Sequence, residues 1–251
     1  MYKSRLIDRA ALTVQHGLWQ AVDLIYPPIC IHCGKAGERW CRDCRALVER
    51  VGHKVCSKCG KRFLQGKLCR DCQLHPPGYT ALRSYGLYRD PLRKAILQAK
   101  YHRDLALGEI LSDLLHQLVI EQGWELDRVI PVPISPSRMS ERGYNQVDLF
   151  ARPLAWRLGL PYQDRVLSRI HEETSQVKLT AESRRVNVAQ AFRVIWPDPL
   201  RHAHILLVDD VATTGSTADV CSGVLLEAGA DQVYVATLAR SLLRRSIQEV
   251  I

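Results

Sequence analysis

The chain has 251 residues, 47% of them apolar and 24% charged, with a formal charge of +9. That length suits one ordinary domain with a small appendage, and the composition excludes a disordered or fibrous protein. No run of about 18 uncharged apolar residues occurs, and Arg5, Asp8 and Arg9 stand where a cleavable leader would be apolar, so a soluble cytoplasmic protein without membrane insertion is expected.

From Tyr2 to Tyr26, the residues Leu6, Ala10, Val14, Leu18, Val22 and Ile25 recur at helical spacing, and Pro27 and Pro28 stop the pattern. An N-terminal helix over 1–28 is expected, packed on the body rather than lying on a membrane, because its polar face carries few cations.

Four C-x-x-C pairs follow: Cys30/Cys33, Cys41/Cys44, Cys56/Cys59 and Cys69/Cys72. Two thiolates from one tight knuckle reach a tetrahedral metal, and two knuckles close a structural Cys₄ site. Disulfides need an oxidising compartment, and a redox C-x-x-C would occur once, beside a βαβ pattern. Two structural Zn²⁺ ions are therefore expected over 29–75. Joining the first two and the last two pairs is the favoured grouping. An interleaved grouping stays open, because only seven residues separate Cys33 from Cys41. Eight zinc-bound thiolates would lower the net charge to about +5, still favouring acidic ligands. The ninth cysteine, Cys221, reads as a small core residue.

His75 to Gly78 read as a linker. Ala81 to Tyr88 look strand-like, and Leu92 to Leu118 look like one or two amphipathic helices broken near His102 and Arg103. Lys100, His102, Arg103 and Asp104 at that break read as a solvated corner. Val129 to Pro133 form a second buried strand entering a proline-bounded turn, followed by Arg138, Arg142, Gly143, Tyr144, Asn145 and Gln146, then a helix through Leu149, Leu154 and Leu158. Between candidate strands near Val166 and at Phe192 to Ile195, residues 172–188 are polar and weakly periodic, as a lid over a site would be.

The most informative stretch is Ile205 to Thr217, ILLVDDVATTGST. Ile205, Leu206, Leu207 and Val208 read as a buried strand, with Asp209 and Asp210 at its carboxyl end. Val211, Ala212, Thr213, Thr214, Gly215, Ser216 and Thr217 then form a small-residue turn before a helix. Such a turn offers backbone N–H groups, hydroxyls and a positive helix end to a phosphate. The acids can accept hydrogen bonds from vicinal sugar hydroxyls or help hold a divalent cation, so a ribose 5-phosphate ligand is implied. A further parallel strand is expected over Val233 to Leu238, and then a basic helical tail with Arg240, Arg244 and Arg245, either a solvated face or a phosphate-contacting patch.

This stretch resembles the phosphoribosyl diphosphate (PRPP) signature of type I phosphoribosyltransferases. The resemblance implies an α/β fold over 79–251, a mainly parallel sheet flanked by helices with the site at the strand carboxyl ends, behind a small N-terminal zinc-ribbon domain. It also implies a pyrophosphate loop at Pro131, Val132 and Pro133, and a loop over 172–188 that closes on the substrate.

The P-V-P turn with R-x-x-x-R-G-Y-N-Q, and the run through Thr174, Gln176, Leu179, Arg184, Arg185, Asn187, Ala191 and Phe192, resemble the ComF family. Together with the double ribbon, the likeness spans essentially the whole chain. Two functions follow from it. One is ribosyl transfer from PRPP with Mg²⁺, with Asp209 and Asp210 on the ribose and Arg138, Arg142, Arg184 and Arg185 neutralising pyrophosphate. The other is PRPP-responsive binding without turnover, with single-stranded DNA or competence-machinery proteins as partners in natural competence.

Overall fold

The computed structural model describes residues 27–170 and 191–241. The helix expected before Pro27, the stretch 172–188 with Arg184 and Arg185, and the tail arginines Arg244 and Arg245 lie outside those residues. The chain divides into two compact units, Met1–Leu47 and Val48–Ile251.

In the larger unit, four strands form one sheet in the order β1–β6–β5–β2: β1 Ala81–Leu87, β2 Arg128–Pro131, β5 His204–Ala212 and β6 Gln232–Arg240. Every pairing is parallel. Ile205, Leu206, Leu207 and Val208 are all fully buried, the continuous apolar run that a parallel strand covered on both faces requires. β5 and β6 are each longer than expected: β5 continues through both aspartates to Ala212, and β6 takes in Arg240, which is buried on the strand rather than part of a helical tail. Short strands β3 Leu167–Arg169 and β4 Phe192–Val194 pair antiparallel beside the sheet.

The helices are α1 Arg42–Ala46, α2 Arg70–Leu74, α3 Leu92–Tyr101, α4 Leu105–Gln122, α5 Pro136–Arg142, α6 Asp148–Arg157 and α7 Ser216–Glu227. The break near His102 is where expected: Asp104 caps α4, its side chain accepting from Leu107 N at 3.0 Å. Strand alternation divides the core in two. Ile205 and Leu207 of β5 and Val233 and Val235 of β6 pack with Ala218, Cys221 and Leu225 of α7 and with Phe192 of β4. Leu206 and Val208 turn to the other face, the side of α4, which packs on β1 and β6, and of α6, which packs on β2.

The outer edge of β1 is covered by chain from the second half of the ribbon. Val51 N donates to Tyr85 O, Leu87 N to Glu49 O, and Leu82 N to Lys58 O at 2.7 Å. An unpaired edge that would template aggregation is thereby used up. No helix among the described residues is long and apolar enough to cross a membrane.

Candidate functional site

Two cysteine clusters repeat one construction. Cys30, Cys33, Cys41 and Cys44 form the first and Cys56, Cys59, Cys69 and Cys72 the second, so the sequential grouping holds and the interleaved one does not. In each, a tight turn closes on the first cysteine, with Gly34 N donating to Cys30 O and Gly60 N to Cys56 O. In each, the third cysteine caps a five-residue helix, α1 after Cys41 and α2 after Cys69.

The donor set fits zinc. A tetrahedral ion with bonds of about 2.3 Å sets its sulfurs about 3.8 Å apart. Cys33 and Cys41 Sγ stand 3.8 Å apart, and Cys59 and Cys69 Sγ 3.7 Å. Backbone N–H groups of Cys41 and Cys69 donate to Cys30 and Cys56 Sγ, each at 3.4 Å. Burial opposes ionisation of these two thiols, yet the surrounding N–H donors bring them down to about 6 for Cys30 and about 7 for Cys56. These are two closed structural Cys₄ zinc sites.

The second cluster is part of the larger core. Its four cysteines pack with Tyr79, Leu82 and Val235. Lys58 Nζ donates to Tyr79 O at 2.8 Å, and the buried Arg240 donates from Nη1 to Cys59 O at 2.7 Å. At Gly60 a Cβ would collide with the carbonyl of Leu82, so the knuckle lies directly on the β1 backbone, an approach only glycine allows.

At the carboxyl edge of the sheet the two aspartates are not equivalent. Being adjacent on a strand, they turn to opposite faces. Asp210 is 6% exposed and its Oδ2 is held twice, by Gln146 Nε2 at 2.8 Å and by Lys100 Nζ at 3.2 Å. Asp209 lies on the α7 side. Burial, joined by the Asp210 charge, pushes its carboxyl up to about 8; the Asp210 N–H donating to its Oδ1 at 2.8 Å, Lys100 and Arg169 oppose that shift.

The turn after β5 gathers small and hydroxyl side chains at the start of α7. Thr213, Thr214 and Ser216 are exposed, and Thr214 Oγ1 accepts from Ser216 N at 3.3 Å. Gly215 caps α7 at φ 90°, and a Cβ there would sit 3.0 Å from the buried Tyr79 hydroxyl. Pro131 is paired with Val208, and Val132 N donates to Val208 O at 2.8 Å, so the proline-bounded turn leaves the sheet next to the acids. Asn145 braces it by donating from Nδ2 to Val132 O at 3.0 Å.

Arg142 joins this group through Gln146, its Nη1 donating to Gln146 Oε1 at 2.9 Å, while its buried Nε has no hydrogen-bond partner. Arg138 sits exposed on α5. Lys100 corrects the expectation of a solvated corner at the α3 end: its side chain is 21% exposed and its ammonium is paired with Asp210. The sequence signal was present, a lysine ending an apolar helix beside a polar break, but its partner is over a hundred residues away. Arg169, whose charge acts on Asp209 and whose guanidinium lies 5.3 Å from the Phe192 ring centroid, carried no local signal.

Residues 21–73 match the family model described as a double zinc ribbon domain. The "DNA utilization protein YhgH" of Salmonella typhimurium is 35% identical over 230 residues, covering 87% of this chain and all of the relative. "Competence protein F" of Haemophilus influenzae is 29% identical over 228 residues, covering 84% of this chain and 96% of the relative. Among solved structures, glutamine PRPP amidotransferase from B. subtilis is 18% identical with a TM-score of 0.38, over 57% of this chain and 30% of that one.

Proposed function

This chain belongs to the ComF family, and on that premise we propose that it binds PRPP with Mg²⁺ at the carboxyl edge of β5 and serves in the uptake or utilisation of DNA. The observation that carries the reading is one continuous segment: a buried strand ending in Asp209 and Asp210, then a glycine-capped turn of exposed hydroxyls at the start of α7. In this reading residues 212–217 take the 5′-phosphate and the acids take the ribose hydroxyls. Mg²⁺ would be held with help from the Asp209 and Asp210 carboxylates and would neutralise part of the diphosphate charge, and Arg142, with Arg138, Arg184 and Arg185, offsets the pyrophosphate charge.

The reaction that such a site supports is transfer of a ribose 5-phosphate group to an acceptor, the bond from the anomeric carbon to pyrophosphate breaking as the bond to the acceptor forms. Its ribosyl centre develops positive charge, so positioning and electrostatics supply most of the catalysis. The two relatives are named for DNA utilisation and for competence rather than for a transferase, which favours as second reading a PRPP-responsive factor that contacts single-stranded DNA or partner proteins in the cytoplasm without turnover.

Calorimetric titration tests the shared premise: PRPP should bind when Mg²⁺ is present and bind at least tenfold more weakly to Asp209→Asn, a loss of about 1.4 kcal/mol or more. No binding by the intact protein removes both readings. Pyrophosphate release across a panel of nucleobases separates them.

A further inference from the structure

Gln146 stands just before α6, 5% exposed, between a cation and an anion that do not touch each other directly. Its orientation is fixed by chemistry. A guanidinium only donates and a carboxylate only accepts, so the oxygen must face Arg142 and the nitrogen Asp210. Both contacts are short, 2.9 and 2.8 Å, and Lys100 completes the set on the same Asp210 oxygen. Titratable groups around the aspartates come from four elements: Lys100 on α3, Arg142 on α5 through Gln146, Arg169 on β3, and, against Asp209, the neutral buried thiol of Cys221 on α7.

Resting on the PRPP reading, we infer that Gln146 is a positioning residue: it locks Asp210 with Lys100 and orients Arg142, so that the sugar side and the pyrophosphate side of the site are set as one unit. The two acids then divide the work. Asp210 is a fixed anchor with one oxygen fully engaged, while Asp209 on the opposite face keeps its Oδ2 for ligand. One amide serves both ends because, without carrying charge, it accepts at one fixed arm and donates from the other. Removing it leaves the guanidinium and the carboxylate each short of a buried partner.

Replacement by glutamate gives a test with an internal rescue. A protonated carboxyl copies the amide, its carbonyl accepting from Arg142 and its hydroxyl donating to Asp210, whereas the ionised form confronts Asp210 with a second negative charge. Gln146→Glu should therefore bind PRPP and Mg²⁺ at least about tenfold more weakly than the parent at about pH 8, and recover most of that loss at about pH 5.5. Gln146→Leu should be weakened at both values with no recovery. A ligand-free arm uses melting temperature. Measured against the matching protein with Gln146 at each pH, Gln146→Glu should lose thermal stability as pH rises, since its folded carboxyl is raised beside Asp210, and the pH-dependent part of that difference should vanish when both carry Asp210→Asn. If the parent binds no PRPP, the phosphoribosyl reading falls while the melting arm still judges Gln146. A deficit equal at both pH values, or unchanged by Asp210→Asn, overturns the positioning role.

Discussion

The guanidinium of Arg240 donates to the carbonyl of Cys59 at 2.7 Å, joining the end of the last sheet strand to the second zinc knuckle across 181 positions of chain. The backbone of the same residue is paired with Ala212, and Ser241 N donates to Ala212 O at 2.9 Å. One buried side chain thus ties a zinc site to the strand end from which the glycine-capped turn before α7 departs.

The two zinc sites should then differ in what they support. Cys56→Ser removes a ligand that packs in the main core, and should lower the melting temperature of the larger unit by about 10 °C or more while zinc falls from two ions to one. Cys30→Ser should also lose one ion yet leave that transition within about 2 °C, because its cluster belongs to the other unit. Calorimetry paired with metal analysis checks both, and equal shifts would contradict the division.

Asp209 should be a liability to the empty protein. Its carboxyl rises to about 8 on burial, against about 3.9 in an unfolded chain. Between those values the folded state binds the extra proton, so stability falls as pH climbs through the window. Asp209→Asn keeps an oxygen for the Asp210 N–H and removes the charge. Its advantage in melting temperature should be slight at about pH 4 and grow steadily to several degrees at about pH 8. A constant offset across that range would exclude titration as the cause.

Gly215→Ala tests the turn. The native φ of 90° disfavours any side chain, and the new methyl would stand 3.0 Å from the Tyr79 hydroxyl. A cost of about 1–2 kcal/mol in stability is expected. PRPP binding should weaken as the turn shifts, and unchanged affinity would dissociate the turn from the ligand.

The ion pair of Lys100 with Asp210 should be measurable by a double-mutant cycle. Both groups are largely buried, so Lys100→Met and Asp210→Asn, separately and together, should give a coupling of about 1–2 kcal/mol by denaturant unfolding. Additive effects would return Lys100 to the role of a solvent-facing helix end.

What was legible in the sequence was local. The C-x-x-C spacings gave both metal sites, the run of four apolar residues gave β5, and the polar break at His102 separated two helices, since each pattern is contained within a few residues. The inward turn of Lys100 was hidden, because a lysine at a helix end looks the same whether its partner is water or an aspartate on a distant strand. The opposite facing of Asp209 and Asp210 was hidden for another reason: reading them as a strand end left their direction open, and only the continuation of β5 to Ala212 imposes the alternation. The place of the second cysteine cluster in the main core depends on Gly60, Leu82 and Tyr79 meeting, which no periodicity announces.

The contact of Gly60 with the β1 backbone sets where this protein can be cut. Histidine, two prolines and glycine at 75–78 invite a boundary there, but a shortened chain starting at Tyr79 would expose the edge of β1, strip Tyr79, Leu82 and Arg240 of their neighbours, and tend to aggregate. A shortened chain starting at Val48 keeps the cap and its metal, and is the smallest piece to expect in soluble form.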